Sequence, residues 1–410
     1  MSAHVVPSES SPLLGLLDTH VETFFAHLRT EGYAQRTLRK KRSVVQSFAR
    51  WTRRNGIAID DLDESHSAAF LRRRKTGAVL ESATLRLLFR CLRLAGVISA
   101  PVAVAEVSPA EMLLYNYVSH LRSERGLAEN SISVYAPYIR GFLKESSIAG
   151  GCVNTEQLNA PTVHAFVMEH IQGRSQEYAR LMGVALRSFL RFLYVRERTA
   201  MDLSFAVPSI RKWRQATVPA FLSPGQVEQV ISATHCTTPS GRRDYAVLLL
   251  LARLGLRAGE VVAMDLSDIR WRSGELLVRG KGGMQDRLPL LSDVGEALAS
   301  YLQDGRGQSP SRRVFLRTWA PRIGLSGPAS VGHIVRAALA RAGVHRSGRG
   351  AAHLFRHSLA TRMIRHGASL QEISEVLRHR SQDSTEIYAK VAFESLRDVA
   401  RPWPGTGGAR

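Results

Sequence analysis

The sequence predicts a mainly α-helical protein: helical modules in its first half, then an α+β domain with a small antiparallel sheet. Three observations carry this expectation. Apolar residues recur at three- and four-residue spacing across residues 18–205, for example Phe24, Phe25 and Leu28, then Val44, Val45 and Phe48. Residues 275–279 and 287–291 are two short strand-like runs around a glycine-rich turn. Helical patterns surround that hairpin, at residues 245–256 and from Ser330 onward.

The first half contains two related segments. One runs His27, Leu28, Arg29, Thr30, Glu31, Gly32, then Thr37, Leu38 and Phe48. The other runs His120, Leu121, Arg122, Ser123, Glu124, Gly126, then Ser131, Ile132 and Phe142, with Arg125 as one extra residue. Each reads as helix, glycine turn, helix, with Thr37 and Ser131 placed to cap the second helix through a hydroxyl. An internal duplication explains the likeness; chance similarity of two amphipathic helix pairs is the alternative. The expected division is an extra helical module at 1–105, a second helical module at 106–206, a linker at 207–219, a larger domain at 220–400 and a tail at 401–410. Pro101 and Pro109 separate the first two, and Pro208 and Pro219 bracket the linker. Ser223-Pro224 opens the next helix, with proline at its first position. Trp403 in the tail is a residue that usually docks.

Composition narrows the partners. The 410 residues carry 56 Lys and Arg against 35 Asp and Glu, a formal charge of +21. That excess favours a polyanion. From Arg29 to Arg54 there are nine basic residues and one acid, among them Arg36, Arg39, Lys40, Lys41 and Arg42, and Arg72 to Lys75 form a second cluster. The linker adds Arg211, Lys212 and Arg214. These read as DNA-backbone contacts or as a solvated helix face. Cys91, Cys152 and Cys236 have no metal-ligand spacing, which fits a reducing compartment. No signal-peptide pattern opens the chain, and the most apolar run is too short to cross a bilayer. The expectation is a cytoplasmic, nucleoid-associated protein with no membrane partner and no metal.

The chemistry concentrates in the last domain. Arg257 follows Gly255-Leu256 at the end of the apolar run, with Glu260 three residues later. A buried arginine needs such a carboxylate, and a purely structural pair has the same pattern. Lys281 stands in Gly280-Lys281-Gly282-Gly283 between the two strands, where glycines permit close approach and a solvated turn is equally natural. His353 and Arg356 are one helical turn apart, His379 follows an amphipathic stretch, and Tyr388 lies nine residues beyond it. Two arginines, a lysine and two histidines surround a phosphate well, and a tyrosine after them supplies a nucleophile for a phosphodiester.

In order, spacing and local context these residues resemble the tyrosine recombinases, the phage integrase family, whose pattern is Arg, Lys, His-x-x-Arg, His or Trp, then Tyr. Residues 109–205 are similar to that family's SAM-like core-binding domain. Arg378 departs from the pattern by replacing the usual glycine before His379, Phe355 replaces leucine, and Met284 takes a turn position that is often basic. If the glycine takes a positive φ, Arg378 costs about 1 kcal/mol or more in strain, or else it adds a phosphate contact.

The resemblance implies a site-specific recombinase that needs no cofactor or ATP. Tyr388 would attack the scissile phosphate as a phenolate favoured by the surrounding positive charge. Arg257 and Arg356 would grip its non-bridging oxygens, and Lys281 would protonate the leaving 5′-oxygen. His353 would act as acid and base, His379 would donate to the phosphate, and Glu260 would orient its neighbours. The implied partner is double-stranded DNA with inverted recognition sites, held by four protomers, in some systems with related recombinases. Residues 394–401 would form a helix packing on a neighbouring protomer. Other readings are a nicking and closing enzyme of the same chemistry, and a silent or partner-dependent homologue serving as an accessory subunit or regulator.

Overall fold

In a computed structural model of the chain, the described residues are 18–73, 78–99, 108–146, 155–209, 219–280, 284–345, 350–379 and 383–388. The first half is built from helices α1 (Asp18–Thr30), α2 (Gln35–Arg54), α3 (Glu64–Arg72) and α4 (Ala78–Leu94), then α5 (Pro109–Ser123), α6 (Glu129–Glu145), α7 (Ala160–Ile171) and α8 (Gln176–Val195). Packing groups Met1–Ala100 with Thr217–Arg410 in one unit and places Pro101–Ala216 in another.

The two related segments form the same helix pair twice. Val21, Phe24 and Leu28 are buried in α1 where Leu114, Tyr117 and Leu121 are buried in α5. Leu38, Val45 and Phe48 in α2 match Ile132, Ile139 and Phe142 in α6. Both turns use a left-handed glycine, Gly32 (φ 81) and Gly126 (φ 58). The correspondence extends past the residues that reveal it in sequence. Phe70 of α3 matches Phe166 of α7, and Leu85, Leu88, Phe89 and Leu92 of α4 match Leu186, Phe189, Leu190 and Leu193 of α8, all buried.

Thr37 and Ser131 are not the caps that the sequence suggests. The N-caps are Ala34 and Ala128, neither with a side-chain bond, because each helix starts earlier. The N–H groups of Thr37 and Ser131 instead bond Ala34 O and Ala128 O, each at 2.8 Å, as part of the first turn.

The C-terminal half packs around α10 (Pro239–Leu254), which is flanked by α9 (Pro224–Ser232) and α11 (Ala258–Ala263). Residues 246–251 of α10 are sealed from solvent on all sides, as their unbroken apolar run anticipates. Fully burying one such leucine stabilises the fold by about 1.5–3 kcal/mol before entropy is counted. Ser223 caps α9 through a reciprocal box with Gln226, and Pro224 takes the first helical position as expected.

The sheet has three antiparallel strands in the order β1 (Ile269–Arg270), β2 (Glu275–Arg279), β3 (Gln285–Pro289). The third strand lies two residues earlier than the sequence suggests, because its ladder ends where Pro289 pairs with Glu275, the first residue of β2. Helix α12 (Ser292–Asp304) was not anticipated by the pattern and buries Val294, Ala297, Leu298 and Tyr301, packing on α10. Helices α13 (Pro328–Arg341), α14 (Ala351–Arg365), α15 (Leu370–Leu377) and α16 (Asp383–Glu386) complete the described chain. Between α12 and α13, the Arg322 N–H donates to Glu31 O at 3.1 Å, and its side chain lies over Gly32 where a Cβ would come within 3.0 Å. No described helix is long and apolar enough to cross a membrane.

Candidate active site

Arg257 is placed by the way α10 stops. Gly255 takes a left-handed conformation (φ 59), and a Cβ there would sit 2.8 Å from Leu377 Cδ2 and 3.0 Å from Leu359 Cδ2. The chain turns, and Arg257 becomes the N-cap of α11. Glu260 reaches back from the first turn of α11. Its Oε2 accepts the Arg257 N–H at 2.8 Å and its Oε1 accepts from the Arg257 guanidinium at 2.8 Å. The Glu260 side chain is 6% exposed, whereas that of Arg257 is 38% exposed. Burial alone would raise the Glu260 pKa, but the bonds from Arg257 and the charges of Arg378 and Arg257 outweigh it and hold the carboxyl below its usual range. The Arg–Glu pairing expected from the sequence is thus formed, with the carboxylate inside and the cation half outside.

Arg356, on the buried face of α14, ties two helix ends together. It donates to Gly255 O at 2.6 Å and also to Leu377 O. Two of its five N–H groups are committed to these carbonyls and the others remain free of them. Burial, with the Arg257 and Arg378 charges beside it, pulls its pKa down to about 10, still fully cationic at neutral pH.

Arg378 occupies the left-handed region at the end of α15, with φ 53 and ψ 52. The backbone strain anticipated for a non-glycine residue is therefore present. Its side chain turns inward, 8% exposed, and donates to Glu260 Oε2 at 2.9 Å. Its Nε lies 3.7 Å from Asp286 Oδ2 of β3. Its own carbonyl accepts from Arg257 at 3.3 Å.

His379 follows directly. Its Nδ1 lies 2.7 Å from Thr385 Oγ1, and its ring stacks parallel to Tyr388 with centroids 6.2 Å apart. Burial, then the charges of Arg356 and Arg257, drive its pKa down to about 4. His353 lies on the solvent side of α14, and its pKa is lowered by partial desolvation and by the same two arginines.

Tyr388 departs from expectation. It is 1% exposed and packs among Ala360, Ile373 and Leu377. Its hydroxyl is 2.8 Å from His357 Nδ1. The phenol pKa is pushed up to about 12: desolvation outweighs the opposing pull of Arg356 and Arg257. The surrounding charge does not favour the phenolate in this conformation, because the ring is removed from water.

His357 is the residue that sequence reasoning missed. It stands immediately after Arg356 and is held neutral, its pKa driven down to about 4 by burial and by the neighbouring His353 and Arg356. With its proton on Nε2, the neutral ring accepts at Nδ1 the hydrogen bond that the tyrosine hydroxyl donates. The only sequence signal was a second histidine in His353-Leu354-Phe355-Arg356-His357.

Several anticipated residues fall elsewhere. Lys281, Arg211, Lys212 and Arg214 lie outside the described residues, as do Arg74, Lys75, Trp403 and residues 394–401. On α2, Arg36, Arg39 and Lys40 are exposed, whereas Arg42 pairs with Glu22 at 2.6 Å. Lys41 must be removed from this basic group. It is buried, donates to Thr84 Oγ1 at 3.2 Å and lies 5.2 Å from the Tyr33 ring centroid.

Comparison with known proteins places the chain among characterised folds and families. Residues 220–395 match the family model described as phage integrase family, and residues 114–197 match the phage integrase N-terminal SAM-like domain. A putative integrase/recombinase, y4rA, of Sinorhizobium fredii is 39% identical over 401 residues, covering 97% of both chains, too much to omit α1–α4. The tyrosine recombinase XerC of Anoxybacillus flavithermus is 32% identical over 291 residues, covering 69% of this chain and 94% of its own. The crystal structure of the XerH site-specific recombinase bound to a palindromic difH substrate, a post-cleavage complex, shares the fold with a TM-score of 0.52 at 15% identity, covering 95% of this chain and 98% of that one. The chain belongs to the phage integrase family, the tyrosine recombinases, enzymes that break and rejoin DNA strands.

Proposed function

We propose that this chain cuts and rejoins DNA through a 3′-phosphotyrosyl link at Tyr388, in the integration, excision or transposition of a mobile element. The observation that carries the reading is the meeting of Arg257, Arg356, His379 and Tyr388, scattered over more than a hundred residues, around the ends of α10 and α15. Arg257 and Arg356 offer free N–H groups to the two non-bridging oxygens and stabilise the charge that builds there. The Tyr388 oxygen attacks phosphorus and its proton passes to His353. The bond to the 5′-oxygen breaks, and Lys281 supplies that oxygen's proton. His379 donates to the phosphate. One phosphodiester replaces another, so the reverse reaction with a different 5′-hydroxyl is strand exchange.

Tyr388 must first leave its apolar pocket, since a phenol that is 1% exposed and bonded to His357 does not present its oxygen to an outside phosphate. That observation also supports a second reading, in which cleavage waits for a partner recombinase or a neighbouring protomer. Double-stranded DNA with inverted sites, bound by four protomers, is the expected partner; the +21 charge supports a polyanion. The module at 1–105 adds DNA contacts through Arg36, Arg39 and Lys40, the modules at 106–206 and 220–400 each bind DNA, and the 207–219 linker contributes Arg211, Lys212 and Arg214.

A nicked duplex carrying the site, recovered by selection from random DNA, tests this. The wild type should trap a covalent adduct and Tyr388→Phe should not. An adduct that persists with Tyr388→Phe refutes the nucleophile; an adduct that appears only with a related recombinase supports the second reading.

A further inference from the structure

Glu260 is shared. One oxygen accepts from the Arg257 guanidinium at 2.8 Å, and the other accepts from the Arg257 N–H at 2.8 Å and from Arg378 at 2.9 Å. A buried carboxylate with one guanidinium makes a neutral pair. In such a pair Arg257 would face a phosphate with most of its charge already answered by Glu260. A second guanidinium restores one net positive charge to the group. Arg378 supplies it from a site buried as deeply as the carboxylate itself. Asp286, the other acid near Arg378, is 37% exposed and 3.7 Å away, so water screens much of its effect.

Two further observations separate Arg378 from an ordinary helix cap. It holds a left-handed backbone (φ 53) that glycine would adopt without strain. It also brings into the interior an Nε that has no hydrogen-bond partner. Both features cost stability, so neither explains an arginine here on grounds of folding. The same residue touches Arg257 twice, through Glu260 and through its own carbonyl at 3.3 Å. Between them these contacts engage both terminal nitrogens of Arg257 and set the plane of its fork.

We propose that Arg378 is a positioning residue for strand cleavage: by sharing Glu260 with Arg257 it fixes the Arg257 fork and keeps that guanidinium's charge available to the scissile phosphate. The inference rests on the reading that Arg257 grips that phosphate.

The test uses the full chain on a nicked duplex carrying its site, with covalent adduct formation followed in single turnover. Arg378→Gly removes the cation while relieving the backbone, and rates are compared where urea denaturation shows wild type and variant both fully folded. DNA affinity should stay within about twofold and the cleavage rate should fall about tenfold or more, with Arg378→Lys between the two. The deciding substrate carries a methylphosphonate at the scissile position, a methyl group in place of one non-bridging oxygen, and has no charge there. On it the gap between wild type and Arg378→Gly should close to about threefold or less. An undiminished rate on the phosphodiester, or the same fold-loss on both substrates, overturns the proposal, the latter because a packing role would not respond to substrate charge. Arg257→Ala, run in parallel, should lose more than Arg378→Gly on the phosphodiester. If Arg257→Ala is unaffected, the reading of Arg257 fails; if it loses activity and Arg378→Gly does not, only the present inference fails.

Discussion

Replacing His357 by leucine should release Tyr388, the proposed nucleophile. Tyr388 is sealed among Ala360, Ile373 and Leu377, and its hydroxyl bonds His357 Nδ1 at 2.8 Å. Its pKa stands at about 12 against the ordinary 10.0, which corresponds to roughly 3 kcal/mol against ionisation where it sits. Leucine keeps an apolar side chain of similar bulk but takes away the acceptor. A buried hydroxyl left without a partner costs about 1–3 kcal/mol. That cost falls on the buried conformer alone, so the ratio of released to buried tyrosine should rise about 5- to 150-fold. In single-turnover adduct formation at saturating protein, the rate should rise by at least about fivefold if release limits cleavage. Urea denaturation should show a loss of about 1–3 kcal/mol of stability. A slower reaction alongside that loss would refute the reasoning, because it would mean that His357 serves the chemistry directly. No change in rate or stability would mean that the hydrogen bond contributes nothing.

Two other expectations follow from burial. His357 and His379 have pKa values near 4 against an ordinary 6.5, so the stability they contribute is complete above pH 6.5 and lost as pH falls towards 4, with an upper limit of roughly 3 kcal/mol for His357 and less for the half-buried His379, which water screens. Urea titrations at pH 7 and 4.5 should show wild type losing more than His357→Leu, and equal losses would remove His357 as a source of the dependence. On α2, Arg36, Arg39 and Lys40 changed together to alanine should reduce the salt dependence of DNA binding by up to about three units of logarithmic slope. Lys41→Met should leave that slope alone; an unchanged slope in the triple variant would mean that this face does not touch the DNA backbone.

How much was legible in the sequence depended on whether identity or only burial was repeated. The hairpins α1–α2 and α5–α6 share His-Leu-Arg, the turn glycine and the phenylalanine sixteen residues beyond it, so the likeness is visible in letters. Helices α3 and α4 repeat α7 and α8 only in which positions are buried: Phe70 answers Phe166, and Leu88 answers Phe189. That kind of correspondence becomes visible once the helices are packed. Helix α12 was hidden because Ser292, Asp293, Gly295 and Glu296 dilute its apolar stripe, and β1 was hidden because two residues carry no periodicity. The separate parts of the active region were legible as motifs, but their meeting was not. Arg356 reaching both Gly255 O and Leu377 O joins one helix to the ends of two others, none of which signals the others in sequence.

The sequence readings that failed at single side chains failed for one physical reason. Lys41 was counted with its basic neighbours, and Tyr388 was expected to ionise among arginines. In each case a charge was judged by its neighbours in the chain and not by its access to water. For Lys41 the sign was present in the spacing: Leu38, Lys41, Val45, Phe48 and Thr52 fall at intervals of three and four, so the lysine lies on the buried stripe of α2. For Tyr388 two cations lower the pKa, but removing the ring from water raises it further. Arg378 shows the opposite outcome at the same depth. There the buried guanidinium has a carboxylate within 2.9 Å, and the backbone carbonyl of the same residue accepts from Arg257. Burial therefore sorts the charged and ionisable groups of this region into two kinds. Tyr388 and His357, which face one another, are held neutral; Glu260, bonded to both Arg257 and Arg378, is held as a carboxylate. The proposed cleavage at Tyr388 requires the ring to move from the first environment into reach of the second, and the contact with His357 is the part of that barrier that a single substitution can remove.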